Sequence, residues 1–239
     1  MSAAAAPGDV ALDVQGLAPG VWRVTERRPG APAVAGIVEI GGRTLVFDTL
    51  ESAAAGARLR ELAEAVAPVE LVVNSHCHRD HVSGNAAFSD RPIVASPATR
   101  ARAGSTPPTI TLEGTLALHG GGRTVELIPV GPAHTSGDVV AFVRDCGVLF
   151  AADLAVDSIH PRVRDGDLRA WCAALDRLAE LRPALVVRGH GAVGGGEALA
   201  TVRDYLERLL AGRASPLPGR SDPEIHELNC RIAHSLAAT

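Results

Sequence analysis

The sequence predicts an α+β fold in which two β-sheets pack face to face and helices cover their outer surfaces, a four-layer αββα sandwich. Short and continuously apolar segments, such as Val69–Asn74 and Leu185–Val187, are typical of strands buried on both faces. Other segments have apolar residues at helical spacing, and no linker is long enough to separate two domains. Stacked sheets with helices outside are an economical way to bury this many apolar strands.

The first half of the chain predicts strands interrupted by one long helix. Gly41-Gly42 is a hairpin signal between two strands. Ser52 is a good helix cap, and Pro68 ends that helix. The predicted elements are strands at Val21–Glu26, Val34–Ile40 and Arg43–Thr49, a helix from Ser52 to about Ala67, a strand at Val69–Asn74, a short helix at Gly84–Phe88 and a strand at Pro92–Ala95.

The second half predicts more strands and three amphipathic helices. Thr109–Val130 alternates between apolar and polar residues and has glycines at its turns. The further elements are a hairpin of Val139–Val143 and Val148–Ala151, a helix opened by Asp167 and ended by Pro183, a strand at Leu185–Val187, and helices at about Glu197–Ala211 and Pro223–Leu236. We therefore expect an N-terminal extension at residues 1–20 and a single domain at residues 21–239.

Composition excludes several classes of function. The net charge is −4, and no run of basic residues occurs, so nucleic acid is not an expected partner. All 23 basic residues are arginine, which excludes lysine nucleophiles and lysine Schiff bases. No stretch approaches the roughly 20 apolar residues that cross a membrane. Four scattered cysteines and no recognisable export signal predict reduced thiols and a cytoplasmic location, and the Ala/Arg/Gly/Pro-rich usage suggests a bacterial source.

A dense run of ligand-type side chains follows the predicted strand Val69–Asn74. It is His76-Cys77-His78-Arg79-Asp80-His81, and it holds three of the 9 histidines. The first two histidines are two residues apart and project on the same side of an extended segment. The aspartate and the last histidine can turn towards a neighbouring ion. Imidazole and carboxylate suit zinc, and also iron or manganese, so the run predicts a metal site without fixing the metal.

Further candidates lie beside apolar strands. His134 precedes one strand, whereas Asp153 and His190 follow others, so all three could meet at one sheet edge. Taken alone, a residue such as His134 is more often a surface loop residue, and one such as Asp153 is more often a turn or helix cap. His160, on the loop after Asp153, is either a substrate contact or a plain loop histidine. Cys77 should point away from its histidine neighbours, as a structural thiol.

Together these motifs resemble the metallo-β-lactamase superfamily. The run from His76 to His81, His134 in His-Thr-Ser-Gly-Asp, Asp153 after an apolar strand and His190 in Gly-His-Gly match its pattern in order and context. The resemblance spans about Val21 to Ala211 and implies an αββα sandwich with two metals at one edge of the sheets. It implies this assignment: His76, His78 and His134 hold the first ion, Asp80, His81 and His190 hold the second, and Asp153 bridges both.

The aspartate at position 153 indicates which branch of the superfamily the sequence resembles. True β-lactamases of the superfamily have cysteine or serine there, whereas aspartate is typical of glyoxalase II, lactonases and general acyl hydrolases. The expected activity is hydrolysis of a small-molecule thioester, lactone or other ester or amide by a hydroxide generated at two zinc ions. Asp80 is expected to orient this hydroxide and to take part in proton transfer.

Three alternatives remain open at this point. A persulfide dioxygenase keeps much of the same pattern but uses a single iron, and a full set of seven ligands argues against it. A β-lactam is a possible substrate but ranks below thioesters and lactones, because Asp153 replaces the usual cysteine or serine. A non-catalytic binding protein on this fold would normally have lost ligands, and none is missing here.

Overall fold

Two β-sheets form the centre of the molecule, and the computed structural model describes residues 10–237. The first sheet has seven strands in sequence order, and the second has five in the order β12-β11-β10-β9-β8. The strands of the first sheet are β1 (Leu12–Ala18), β2 (Val21–Glu26), β3 (Val34–Glu39), β4 (Thr44–Phe47), β5 (Val69–Val73), β6 (Ile93–Ala95) and β7 (Ile110–Thr111). Those of the second are β8 (Leu116–Gly120), β9 (Arg123–Pro129), β10 (Val139–Val143), β11 (Val148–Val156) and β12 (Leu185–His190).

Helices cover the outer face of each sheet. The helices are α1 (Ala53–Val66), α2 (Arg79–Val82), α3 (Pro97–Arg102), α4 (Leu168–Glu180), α5 (Glu197–Leu210) and α6 (Pro223–Ala237), with a 3₁₀ turn at Ser83–Phe88. Leu59 of α1 packs on the first sheet, while Trp171 of α4 and Tyr205 of α5 pack on the second. This is the predicted four-layer αββα sandwich. Among residues 10–237, no helix has the length and apolar character needed to span a bilayer.

The two sheets share an apolar core. Phe47 of β4 and Phe150 of β11 meet there with ring centroids 5.6 Å apart. A Cβ atom on Gly36 would lie 2.4 Å from the Phe150 ring, so only glycine lets β3 approach this closely. Burying each phenylalanine side chain contributes about 1.5–3 kcal/mol, and the shared core thereby holds the two sheets in one orientation.

Strand direction brings the predicted ligands to one edge of both sheets. Strand β5 runs parallel to β4, and β12 runs parallel to β11, so the carboxyl ends of each pair lie together. Strand β10 is antiparallel to β11 and therefore begins at that edge. The Val139 amide donates a 2.8 Å hydrogen bond to the Ser75 carbonyl, which joins the two sheets there. Residues 74–81, 134, 153 and 190 all lie at or near this edge.

Some elements differ from those the sequence predicts. Strand β1 lies in the predicted N-terminal extension, of which residues 1–9 fall outside the described part. Most side chains of β1 are exposed, so its sequence shows only a weak alternation of apolar and polar residues. Helix α3 was not predicted, although Ser96 caps it and Pro97 opens it. Strand β11 runs past Ala151 to Val156, with an irregular register around Ala152, whose φ is +45°. Asp153 therefore lies within a strand rather than after one.

Candidate metal centre

Seven side chains meet at the edge where β5 and β12 end and β10 begins, and most of them are buried. The seven residues form two groups, and within each group the nitrogen and oxygen atoms that could bind a metal lie close together. One group is His76, His78 and His134 together with Asp153, and the other is Asp80, His81 and His190. The structure thus brings together all seven residues that the sequence predicts as ligands. The ligand roles themselves remain a prediction.

The three histidines of the first group point their ring nitrogens at one another. His78 Nδ1 lies 3.1 Å from His76 Nε2 and 3.0 Å from His134 Nε2. Two nitrogens bound to a tetrahedral zinc at about 2.0–2.1 Å lie about 3.3 Å apart, so these separations fit an ion held between them. In the second group, Asp80 Oδ2 lies 3.2 Å from His190 Nε2 and 3.8 Å from His81 Nε2.

Asp153 lies between the groups and turns one oxygen to each. Its Oδ2 atom is 3.5 Å from His134 Nε2 and 3.9 Å from His76 Nε2. Its Oδ1 atom is 3.2 Å from His81 Nε2 and 3.5 Å from His190 Nε2. A carboxylate in this position is suited to bridge two cations.

Two buried polar atoms of the site lack a hydrogen bond within the described chain. His81 Nε2 and Asp153 Oδ1 are 3.2 Å apart, but neither makes a hydrogen bond of acceptable geometry. An unpaired buried polar atom is costly, by about 1–3 kcal/mol. A divalent metal ion coordinated by both atoms would remove that cost. The donor set and these two unpaired atoms therefore fit a metal centre.

Hydrogen bonds on the far side of each ring aim the imidazoles of His76, His81 and His190. Asp48 accepts a 2.8 Å bond from His81 Nδ1, and Ser75 Oγ lies 2.8 Å from His76 Nδ1. The carbonyl of Ala31 accepts a 2.8 Å bond from His190 Nδ1. In each case the bond at Nδ1 leaves Nε2 free to face the other ligands, as is common for metal-binding histidines.

The remaining two rings are held by residues of the loop before α4. His134 Nδ1 donates to the Arg162 carbonyl at 3.1 Å, which leaves its Nε2 for the site. His78 is turned the other way, because its Nε2 faces Asp165 Oδ2 at 3.1 Å and its Nδ1 faces the histidines. All five imidazoles are thus oriented by a second residue.

The protonation preferences of the rings differ between the two groups. Burial lowers the pKa of His134 to about 4 and that of His76 well below its usual value, so both offer a neutral nitrogen. Burial also disfavours charge on His190, but Asp153 and Asp80 outweigh it and raise the pKa of His190 to about 10. The pKa of His81 is raised in the same way by Asp153 and Asp48. These carboxylates favour positive charge, whether a proton or a metal ion carries it.

A cavity of about 560 Å³ opens onto the site, and His78, Asp80, Asp153 and His190 form part of its wall. The ring of His160 is not part of that wall. It is buried behind it, with Nδ1 2.9 Å from Asp222 Oδ1 and Nε2 accepting from the Leu217 amide at 3.0 Å. Asp222 itself does line the cavity. His160 therefore supports the wall through Asp222 and does not face the cavity directly.

Cys77 faces away from the two ligand groups. Its side chain is buried at the wall of a neighbouring cavity of about 290 Å³, beside Arg102 and Ser105. Burial raises the pKa of the Cys77 thiol, which makes the thiolate form scarce. This position agrees with the expectation from the alternation of an extended segment.

Sequence reasoning missed the residues that orient the ligands. Asp48 directly follows the apolar strand β4, much as Asn74 and Ser75 follow β5, and this position after a strand was an available signal. Asp165 carried no such signal in its loop. The steric role of Gly189, the first glycine of Gly-His-Gly, was also missed: a Cβ atom there would lie 1.9 Å from Asp153 Oδ1, so the residue before His190 must be glycine.

Asp48→Asn is expected to weaken metal binding by about 10–100-fold, the usual cost of losing such an orienting carboxylate. Asp48 also accepts from the Ser75 amide at 2.7 Å and Ser75 Oγ at 2.7 Å, so the change loosens both sides of the site. Asparagine is the suitable replacement because Asp48 has φ +59°, which asparagine tolerates. Competition with a chelator measures the change, and Asp90→Asn, an exposed site, is the control. Unchanged metal affinity in the Asp48 variant would remove its orienting role.

Comparison with known proteins shows the family. The profile of the metallo-beta-lactamase superfamily matches residues 28–190, more than half of the chain. A hydroxyacylglutathione hydrolase from Synechococcus sp. is 28% identical over 140 residues, or 58% of this chain and 55% of that protein. One from Gloeobacter violaceus is 32% identical over 131 residues, 52% of each chain. The chain thus spans about half the length of the curated relatives it matches.

Solved structures show the same fold. A metallo-beta-lactamase from Pontibacter korlensis superposes with a TM-score of 0.76 at 24% identity, over 82% of this chain and 99% of that one. The metallo-beta-lactamase FIM-1 from Pseudomonas aeruginosa, in a mono-zinc form, gives 0.75 at 23% identity, over 84% and 97%. The four-layer fold, the His/Asp cluster and the profile match together lead to one conclusion. The chain belongs to the metallo-beta-lactamase superfamily, and its His/Asp cluster could hold metal ions.

Proposed function

We propose that this protein is a hydrolase that uses two zinc ions to cleave an acyl bond, with a thioester or lactone as substrate. The observation that carries the proposal is the position of Asp153. Its two oxygens face different groups of ligands, at 3.5 Å from His134 and at 3.2 Å from His81. Two ions sharing one carboxylate are typical of two-metal hydrolytic sites.

The residues would divide between the two ions as the resemblance to the superfamily implies. His76, His78 and His134 would hold one ion, while the second group would hold the other; its members are Asp80, His81 and His190. Bound divalent ions supply a water of lowered pKa and polarise a carbonyl oxygen, and zinc suits this imidazole and carboxylate set, although iron or manganese would also bind.

Asp80 is the chain's own acid–base group in this proposal. Its side chain is 33% exposed and lines the cavity, whereas Asp153 is deeply buried. Despite the cost of burial, the contact with His190 and the charge of His81 lower the pKa of Asp80 to about 2, so the carboxylate is ionised. The ionised carboxylate would orient an attacking water by accepting its hydrogen bond, and Asp80 would take part in proton transfer to the leaving group.

Several observations support an acyl substrate of modest size. The curated relatives are named for hydrolysis of hydroxyacylglutathione, an acyl thioester, although the match covers only about half of each. The cavity of about 560 Å³ suits a small molecule. Asp153 favours thioesters or lactones over β-lactams, and two separate ligand groups favour two ions over the single iron of a persulfide dioxygenase.

The domain organisation, the cellular location and the partner of the enzyme are also part of the proposal. Residues 21–239 would act as a single domain, to which β1 adds an edge strand. Four free cysteines and the composition support a bacterial cytoplasmic location. The partner would be the small acyl substrate, not nucleic acid or a membrane.

Elemental analysis of the purified protein is expected to find about two transition-metal ions per chain, zinc foremost. A panel of thioester, lactone and β-lactam substrates is then expected to show hydrolysis of the first or second class. Chelation should abolish turnover, and added zinc should restore it. A single iron per chain, with oxygen consumption on a persulfide, would contradict the proposal.

A further inference from the structure

Two arginines without an ionic partner lie at the wall of the cavity that contains the candidate metal centre. Arg79 and Arg162 both line this cavity of about 560 Å³, and both are exposed. Within residues 10–237, neither guanidinium makes a hydrogen bond or an ion pair. Arg28 also lines the cavity, but it pairs with Glu26 at 3.6 Å and closely with Glu51, so its charge is compensated.

The backbone of both arginines is anchored beside the predicted ligands. Arg79 lies between His78 and Asp80 and opens α2. The Arg162 carbonyl accepts from His134 Nδ1 at 3.1 Å, and Asn229 of α6 binds the carbonyl just before it, on Pro161, at 2.6 Å. Two free guanidinium groups therefore extend from fixed points next to the metal-binding side chains.

None of the carboxylates that line the same cavity pairs with Arg79 or Arg162, although Asp222 Oδ2 has no hydrogen-bond partner. Asp80 and Asp153 face the histidines, Glu51 pairs with Arg28, and Asp222 Oδ1 bonds His160. Within residues 10–237, no carboxylate lies within ion-pair distance of Arg79 or Arg162. Uncompensated positive charge in a concave site attracts anions, and an arginine binds carboxylate or phosphate oxygens with two parallel hydrogen bonds.

We propose that Arg79 and Arg162 bind an anionic group of the substrate, and that the substrate is therefore an acyl compound carrying a carboxylate or phosphate. The arginines determine specificity and position the substrate, while the bond cleaved is the acyl bond of the proposed function, on which this inference rests. The two arginines then form a cationic part of the cavity wall beside the reacting centre.

The test uses four thioesters that differ in charge. They are the acetyl thioesters of 2-mercaptoethanol, 3-mercaptopropionate and 2-mercaptoethyl phosphate, and the succinyl thioester of 2-mercaptoethanol. The variants are Arg79→Gln and Arg162→Gln, and the matched control is Arg164→Gln, an exposed arginine that does not line the cavity. All three variants keep the metal-binding residues.

Each of the two cavity variants is expected to raise KM for a charged thioester by about 10-fold or more, since hydrogen bonds to charged groups are the stronger kind. The turnover number changes less, because the anion is held equally in the ground and transition states. The neutral thioester and Arg164→Gln should show no such rise. The two carboxylate substrates and the phosphate substrate show which anion, and which side of the acyl bond, the arginines recognise.

Calorimetric binding of the matching thioethers, which lack the carbonyl, separates this inference from the proposed function. One outcome is that wild-type protein hydrolyses none of the thioesters but binds the anionic thioethers about 10-fold more tightly than either cavity variant does. The anion-binding role of the two arginines would then be supported, and the proposed acyl hydrolysis would be wrong. If the acyl bond is cleaved, yet charged and neutral compounds respond equally to both arginine changes in KM and in binding, the anion site is overturned and the hydrolase remains.

Discussion

Asp153→Ala is expected to lower bound metal from about two ions per chain to one or none, and to abolish hydrolysis with it. The reason is that each Asp153 oxygen serves a different ligand group, at 3.2 Å from His81 and 3.5 Å from His134. Removing the carboxylate also leaves several buried imidazoles without their shared negative partner. Elemental analysis after dialysis, with circular dichroism to establish folding, measures the result.

Cys77→Ala is the matched control for this experiment. Cys77 is buried and lies between two of the same histidines in sequence, but its side chain faces the neighbouring cavity. The control should keep its metal and its turnover. If Cys77→Ala lost metal while a folded Asp153→Ala retained both ions, the ligand assignment would be wrong.

Asp80→Asn is expected to lower the turnover number by about 10²–10⁴-fold, the usual contribution of a general acid–base group. The first group of ligands is untouched, because Asp80 contacts His190 and His81 and not His76 or His134. Asparagine nearly preserves the shape of the side chain but cannot accept a proton. Substrate affinity should therefore change less than turnover.

Kinetics on an active acyl substrate must be paired with metal analysis of the same Asp80→Asn sample. Asp165→Asn is the matched contrast, because Asp165 orients His78 at 3.1 Å and faces no reacting group in this proposal. At saturating metal, Asp165→Asn should recover most turnover, whereas Asp80→Asn should not. A fully metallated Asp80→Asn enzyme with near-normal turnover would leave Asp80 without a catalytic role.

Much of the architecture was predictable because its signals are local. Strand β2 matches its predicted bounds, and α1 begins after Ser52 as the capping signal indicates. The strand boundaries that were predicted wrongly depend on contacts with residues outside the strand itself. Strand β11 continues through Asp153 because it pairs with β12, whereas Ala151-Ala152 has no strand preference of its own.

The sequence by itself determined which seven side chains meet, because each lies beside an apolar strand and their order and context match the pattern of the superfamily. Only the tertiary structure decided how they are aimed. Asp165 is 87 residues from His78, and the Ala31 carbonyl is 159 residues from His190. Such pairs arise from the packing of two sheets and their loops, and hydrogen bonds across that distance leave no periodic pattern in the sequence. The same packing places Arg79 and Arg162 at the wall of one cavity, although nothing in the sequence distinguishes them from other arginines.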